Sequence, residues 1–255
     1  MSARLDGRTV IVLGASSEGG TGWRIAERFA AEGAHVFVAA RSQKGIDQLA
    51  AAIGGTAVRC DVTQDDDIAR LATCAAARTG QIDAAIYAAG VPIGGSLLSA
   101  SRRRFESALA VNLTGAFTFL REIVPHMAHG SAVTLISSLS STHVFHGFAP
   151  YGVAKAGLNA LVRYAASEFA SRGVRVNALI PGLIDTPMAQ DLIASAADQL
   201  MREVPLGKPV RPEEIAAFCM FLTLDTPSVT GAAIPIDGGN HMTRFAKPDE
   251  LAAGQ

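Results

Sequence analysis

The chain predicts an α/β fold, a doubly wound parallel sheet of seven strands flanked by helices, on three observations. Short continuous apolar runs rich in β-branched residues recur along it, as strands buried on both faces of a parallel sheet do. Stretches with helical apolar spacing separate these runs, and each is long enough for a right-handed crossover. The first run also passes through a Gly-rich loop straight into a helical pattern, the order in which backbone amides can hold a phosphate.

Thr-Val-Ile-Val-Leu at 9–13 is the first strand. Trp23, Ala26, Phe29 and Ala30 then recur at helical spacing, with Gly33 placed as the C-terminal cap. The alternation continues with a strand at 35–39, a helix at 45–53, a strand at 57–60 and a helix at 65–78, whose acidic opening suits its positive N-terminal end. A strand at 82–88 and a helix around 105–124 follow, then a strand from Val133 that delivers Ser138, and a helix over 151–170. The chain closes with a strand at 174–180, a weaker helical pattern at 189–202, a helix at 212–224 opened by Pro212, Glu213 and Glu214, and a strand at 232–236.

With 255 residues, 49% of them hydrophobic and 18% charged, the sequence has material for a sizeable core and too few charges for disorder. The expectation is one domain over 1–239 carrying cofactor and substrate pocket, and a tail at 240–255 that either covers a neighbouring subunit's pocket or is disordered. A net charge of −1, with Arg102-Arg103-Arg104 the longest basic run, argues against a nucleic-acid partner. Cys60, Cys74 and Cys219 form no C-x-x-C pair and leave one over, which reads as core cysteines in a reducing compartment. No 18-residue apolar run occurs, so the expectation is a cytoplasmic protein with no membrane partner.

The Gly-rich loop runs from Gly14 to Gly22 and includes Ser16, Ser17, Glu18 and Gly20. Between strand and helix it predicts dinucleotide binding. A fold selecting NAD usually ends its second strand in a carboxylate for the ribose 2′-hydroxyl. Here that place reads Val38-Ala39-Ala40-Arg41, and an Arg can grip a phosphate, so NADP(H) is favoured and NAD(H) kept open. Glu18 opposes this, because a carboxylate near a 2′-phosphate repels it. Asp61 reads either as an acceptor for the adenine amino group or as a helix cap.

Ser138 lies at a strand's carboxyl end, and Tyr151 and Lys155, four residues apart, share one helix face. A hydroxyl, a phenol and an ammonium thus converge. Together with Asn112 in Val-Asn-Leu-Thr-Gly, Tyr151-Gly-Val-Ala-Lys155, Pro181-Gly182 with Thr186 and the closing Asp237-Gly-Gly239, they make the chain resemble the short-chain dehydrogenase/reductase family in its single-domain branch, from about Gly7 to Gly239.

That resemblance implies a Rossmann-type domain and a tetrad of Asn112, Ser138, Tyr151 and Lys155. It also implies cofactor contacts from Gly14, Ser16, Ser17, Gly20, Gly22, Arg41, Asp61, Val62, Ala89, Gly90, Tyr151, Lys155, Pro181, Gly182, Ile184 and Thr186. Tyr151 is then the proton donor or base, its pKa lowered by the Lys155 ammonium; Lys155 holds the nicotinamide ribose, Ser138 orients the substrate oxygen, and Asn112 holds a water. Two departures stand out. The Gly loop is two residues longer than the family's, and Tyr87-Ala88-Ala89-Gly90 replaces Asn-Asn-Ala-Gly, losing side-chain hydrogen bonds that steady the central strand.

The substrate wall is expected from 91–96, from 143–148 and from 186–205, with Met188, Leu192 and Ile193 closing over a small, largely apolar substrate. His143 and His146 lack a third ligand nearby, so no metal is expected. Apolar residues spread around the 151–170 helix predict a homodimer or homotetramer. The expected function is hydride transfer between a nicotinamide cofactor and a ketone or secondary alcohol. The alternatives are a cofactor-binding sensor or scaffold without turnover, and an epimerase or dehydratase.

Overall fold

A computed structural model describes residues 3–187 and 189–247, without the side chains of 191, 192 and 195–197. Among them seven strands form one sheet in the order β3-β2-β1-β4-β5-β6-β7, every pair parallel. The strands are β1 (Thr9–Leu13), β2 (His35–Ala40), β3 (Thr56–Arg59), β4 (Ile82–Tyr87), β5 (Met127–Ile136), β6 (Arg175–Pro181) and β7 (Ala233–Ile236). Because successive strand side chains point to opposite faces, Val10 and Val12 enter one hydrophobic core with Ile25, Phe29 and Ile215, while Ile11 and Leu13 enter the other with Ile68, Phe119 and Leu158. Both faces are therefore covered by helices.

These helices are α1 (Thr21–Ala31), α2 (Gln43–Ile53), α3 (Asp65–Thr79), α4 (Arg102–Leu109), α5 (Gly115–Ile123), α6 (Ala149–Phe169), α7 (Gln190–Met201) and α8 (Pro212–Leu224). α8 has the predicted start, with Pro212 at its first turn and the Glu214 carboxylate accepting from the Arg211 N–H at 2.8 Å.

The predicted helix around 105–124 differs from what forms. It begins earlier, where Ser101 Oγ accepts from the Arg104 N–H; the polar Arg102-Arg103-Arg104 run hid this turn from apolar periodicity. It is also interrupted by a π-helical turn at Ala110–Thr114 between α4 and α5, a widening that often marks a functional position. Strand β5 likewise starts at Met127, ahead of its apolar stretch.

The strand order reverses between β1 and β4, and the carboxyl ends part there to leave a crevice. Gly14 shapes it. Its N–H donates to Ala39 O at 2.7 Å, its φ is +102°, and a Cβ would stand 2.4 Å from the Ala89 nitrogen, so glycine alone fits.

Candidate active site

The crevice opens into a cavity of about 850 Å³. Of the residues singled out from sequence, Gly14, Ser16, Ser17, Gly20, Gly22, Arg41, Asp61, Val62, Ala89, Gly90, Ser138, Tyr151, Lys155, Gly182, Ile184 and Thr186 all line it. Asn112 and Pro181 do not: Asn112 is buried one layer behind, and Pro181 is buried at the end of β6.

Local folding explains the convergence. β5 ends at Ile136, and Ser138 opens a 3₁₀ turn (Leu139–Ser141), its Oγ accepting from the Ser140 N–H at 3.2 Å. α6 docks on that turn. A Cβ on Gly152 would lie 3.0 Å from Ser140 O, and Asn159 Nδ2 donates to Ser141 Oγ at 2.7 Å. These contacts fix the first turns of α6, and with them Tyr151 and Lys155, against the Ser138 turn.

Lys155, 2% exposed, donates from Nζ to Ile136 O at 2.7 Å, and Nζ lies 5.7 Å from the centre of the Tyr151 ring. Burial pushes its pKa down to about 7. Tyr151 departs from the sequence-based expectation: burial raises its pKa, and a hydrogen bond with the Ser138 side chain only partly opposes that. Lys155, for its part, donates to a carbonyl and itself resists ionisation in the buried setting.

Asn112 sits in the π turn and clamps Val91, donating from Nδ2 to Val91 O and Ala108 O at 3.0 Å each and accepting from the Val91 N–H at 3.2 Å. Both Nδ2 hydrogens are thus taken by the chain. Gly90 lies between Asn112 and Lys155, where a Cβ would come 3.1 Å from Asn112 Oδ1 and 3.4 Å from Lys155 Nζ.

The two sequence departures are also resolved. The longer Gly loop folds its extra length into a turn, Gly20 N–H to Ser17 O at 2.9 Å, leaving Ser16 O packed on the first turn of α2 at Gly45 and Glu18 outside the cavity lining. The steadying bonds expected to be lost at Tyr87 are replaced: its buried phenol donates to Val111 O of the π turn at 2.6 Å and packs edge-on against Phe119. Asp61 closes a turn on itself, accepting from the Thr63 N–H and hydroxyl, while α3 starts at Asp65 with Gln64 at its N-cap.

The segment around 186–205 contributes Leu200, Met201 and Val204 to the cavity. Met188 and the Leu192 side chain lie outside the described residues, and Ile193 is half-buried. Sequence reasoning missed Asn240, Arg244, Phe245 and Ala246, which line the cavity from the chain's end. Their one signal was an apolar Phe245-Ala246 pair soon after Gly238-Gly239. Among the described residues no helix is long and apolar enough to cross a membrane.

A Gly loop at a switch point, a hydroxyl, a phenol and a buried lysine in one cavity define a nicotinamide-dependent oxidoreductase. A family model described as enoyl-(acyl carrier protein) reductase matches residues 14–241. The chain is 34% identical to the 3-oxoacyl-(acyl-carrier-protein) reductase of Thermotoga maritima over 92% of its own length and 98% of that protein. A short-chain dehydrogenase/reductase from Brucella melitensis, described as a glucose/ribitol dehydrogenase, superposes with a TM-score of 0.89 at 30% identity, covering 95% of this chain and 100% of that one. A variant of actinorhodin polyketide ketoreductase with NADPH superposes with a TM-score of 0.86 at 27% identity, covering 92% and 97%. This chain belongs to the short-chain dehydrogenase/reductase family and is an NAD(P)-dependent oxidoreductase acting on a CH–OH or ketone group.

Proposed function

We propose that the protein is an NADP(H)-dependent reductase of a small, largely apolar ketone, working through Asn112, Ser138, Tyr151 and Lys155. The observation that carries this is that the Gly loop and Arg41 line the same cavity as Ser138, Tyr151 and Lys155. The donor set suits a dinucleotide: the Gly loop's backbone apart from the Gly14, Ala15 and Gly20 amides, which bond within the fold, the N-terminus of α1, and a lysine that a side chain at Gly90 would crowd. When bound, the nicotinamide supplies or accepts the hydride.

The rest falls to the protein. Hydride arrival leaves negative charge on the substrate oxygen. Tyr151, held protonated by burial, gives that oxygen its proton as general acid, and Ser138 donates the second hydrogen bond. Lys155 positions the nicotinamide ribose, and Asn112 fixes Val91 at the cavity wall. In oxidation the same phenol runs in reverse as the base.

NADP(H) preference is supported by Arg41 and Ser42 at the mouth of α2, by Glu18 lying outside the lining, and by the NADPH in the related ketoreductase. A free-thiol complement of Cys60, Cys74 and Cys219 goes with a cytoplasmic setting. A homodimer or homotetramer is part of the same proposal.

The test is a titration with NADPH and NADH, followed by a ketone panel with the tighter one. Arg41→Ala should weaken NADPH by about 10- to 100-fold, as loss of a charge-assisted phosphate contact does, and NADH little. Tighter binding of NADH than NADPH would overturn the cofactor preference, and binding of neither would overturn the site.

A further inference from the structure

We infer that the substrate of this site carries a flat ring system, and that Phe245 from the chain's end closes a three-ring wall against it. The inference rests on the ketone-reductase reading above and deepens it.

The wall is built from two distant stretches. Phe145 and Phe148, in the loop leading into α6, stack with centres 4.7 Å apart and planes 19° from parallel. Phe245 leans on Phe145 at 4.9 Å, and the His143 ring meets Phe245 edge-on at 6.5 Å. Phe145, Phe148 and Phe245 are each only half-buried, and all three line the cavity that holds Ser138 and Tyr151. Phe148, the N-cap of α6, stands three residues ahead of Tyr151.

Phe245 is delivered by a hydrogen-bonded frame. Asp237, 5% exposed, accepts from the Gly239 and His241 N–H groups at 2.9 and 2.8 Å. Asn240, 4% exposed, shares its two Nδ2 hydrogens among Glu203 O, Thr243 Oγ1 and Arg244 O at 2.8 to 3.1 Å, and Thr243 bonds Glu203 O as well. Ala246 is buried directly after the ring. The loop opposite is equally fixed: the Gly95 N–H donates to Gly147 O at 2.5 Å, and the Ala149 N–H to Gly95 O at 3.2 Å.

Rigid rings favour a rigid partner. A flat ring meets an aromatic face or edge over its whole area, with a geometry-specific gain beyond area burial, whereas an open chain meets it with fewer atoms and loses more rotamer freedom on binding. Three half-buried Phe rings lining one cavity are an apolar surface that a substrate of this shape covers.

The experiment compares an aryl ketone with an open-chain methyl ketone of equal carbon number, by kcat/KM and by calorimetric binding, in wild type, Phe245→Ala and Phe245→Tyr, with thermal melting alongside. The wild type should favour the aryl ketone by at least roughly 10-fold. Phe245→Ala should lower that ratio by roughly 3- to 10-fold, mainly through KM, and Phe245→Tyr should keep it. An open-chain preference in the wild type, or an unchanged ratio in a folded Phe245→Ala, would overturn the inference. Aryl-ketone binding that needs Phe245, without turnover of any ketone, would keep the ring wall and overturn the reductase reading instead.

Discussion

Tyr151 and Lys155 act as a pair only because each is buried in a particular way. Tyr151→Phe keeps the ring and removes the proton, so it should lose at least about 10²–10⁴-fold in turnover while binding cofactor normally; near-normal turnover would sink the assignment. Lys155 has a folded-state pKa near 7 against an ordinary 10.5, so between those values the unfolded chain binds the extra proton. Its burial penalty is full below about pH 7 and fades as pH rises toward 10.5. Lys155→Met should therefore stabilise the cofactor-free protein most at pH 6, the gain shrinking by roughly 1.4 kcal/mol per pH unit above pH 7; a gain independent of pH in denaturant melts would refute this. Tyr87→Phe leaves Val111 O without its buried donor and should cost about 1–3 kcal/mol. The convergence of Ser138, Tyr151 and Lys155 was legible in the chain from a strand end and an i, i+4 pair, whereas the full tetrad with Asn112 came from the family resemblance. Tyr87's bond was not legible, since it joins β4 to a turn 24 residues later, nor was the direction of the Tyr151 shift, which depends on how the assembled fold buries the phenol.

At the scale of elements, the helices are held where the site needs them by contacts between distant segments. α8 ends against β6: Arg175 donates from Nη1 to Leu222 O and Thr226 O, and from Nη2 to Thr223 O at 2.8 Å, satisfying carbonyls that a helix C-terminus leaves open. Arg175→Met should fray that end, costing about 1–3 kcal/mol and speeding amide exchange in the last turn of α8 and just after it; unchanged exchange there would count against the role. The start of α8 was readable from Pro212 and Glu214, because a first-turn proline and a capping carboxylate are sequence-local. The π turn at Ala110–Thr114 was not, because its contacts are with distant residues, Asn112 with Val91 and Val111 O with Tyr87.

Over the whole molecule, one sheet supplies both the cofactor crevice and the catalytic edge, and its outer helices leave apolar side chains uncovered. Phe117 on α5 and Val153 and Tyr164 on α6 are 49%, 48% and 71% exposed. A second copy covering this face should make the protein sediment as a dimer or tetramer, and Val153→Asp should shift it toward monomer; a strict wild-type monomer excludes the covering. The sequence by itself determined the α/β class, the strand and helix order and the Gly loop, since each is written in periodicity, turn chemistry or short spacing; the proposed tetrad was reached through the family resemblance those motifs carry. Only the tertiary structure decided that Glu18 lies outside the cavity, that Lys155 faces a carbonyl, and that Phe245 joins Phe145 and Phe148 at its wall. These depend on which distant segments pack together, and the free energy of burying them is a property of the assembled core that no local stretch carries.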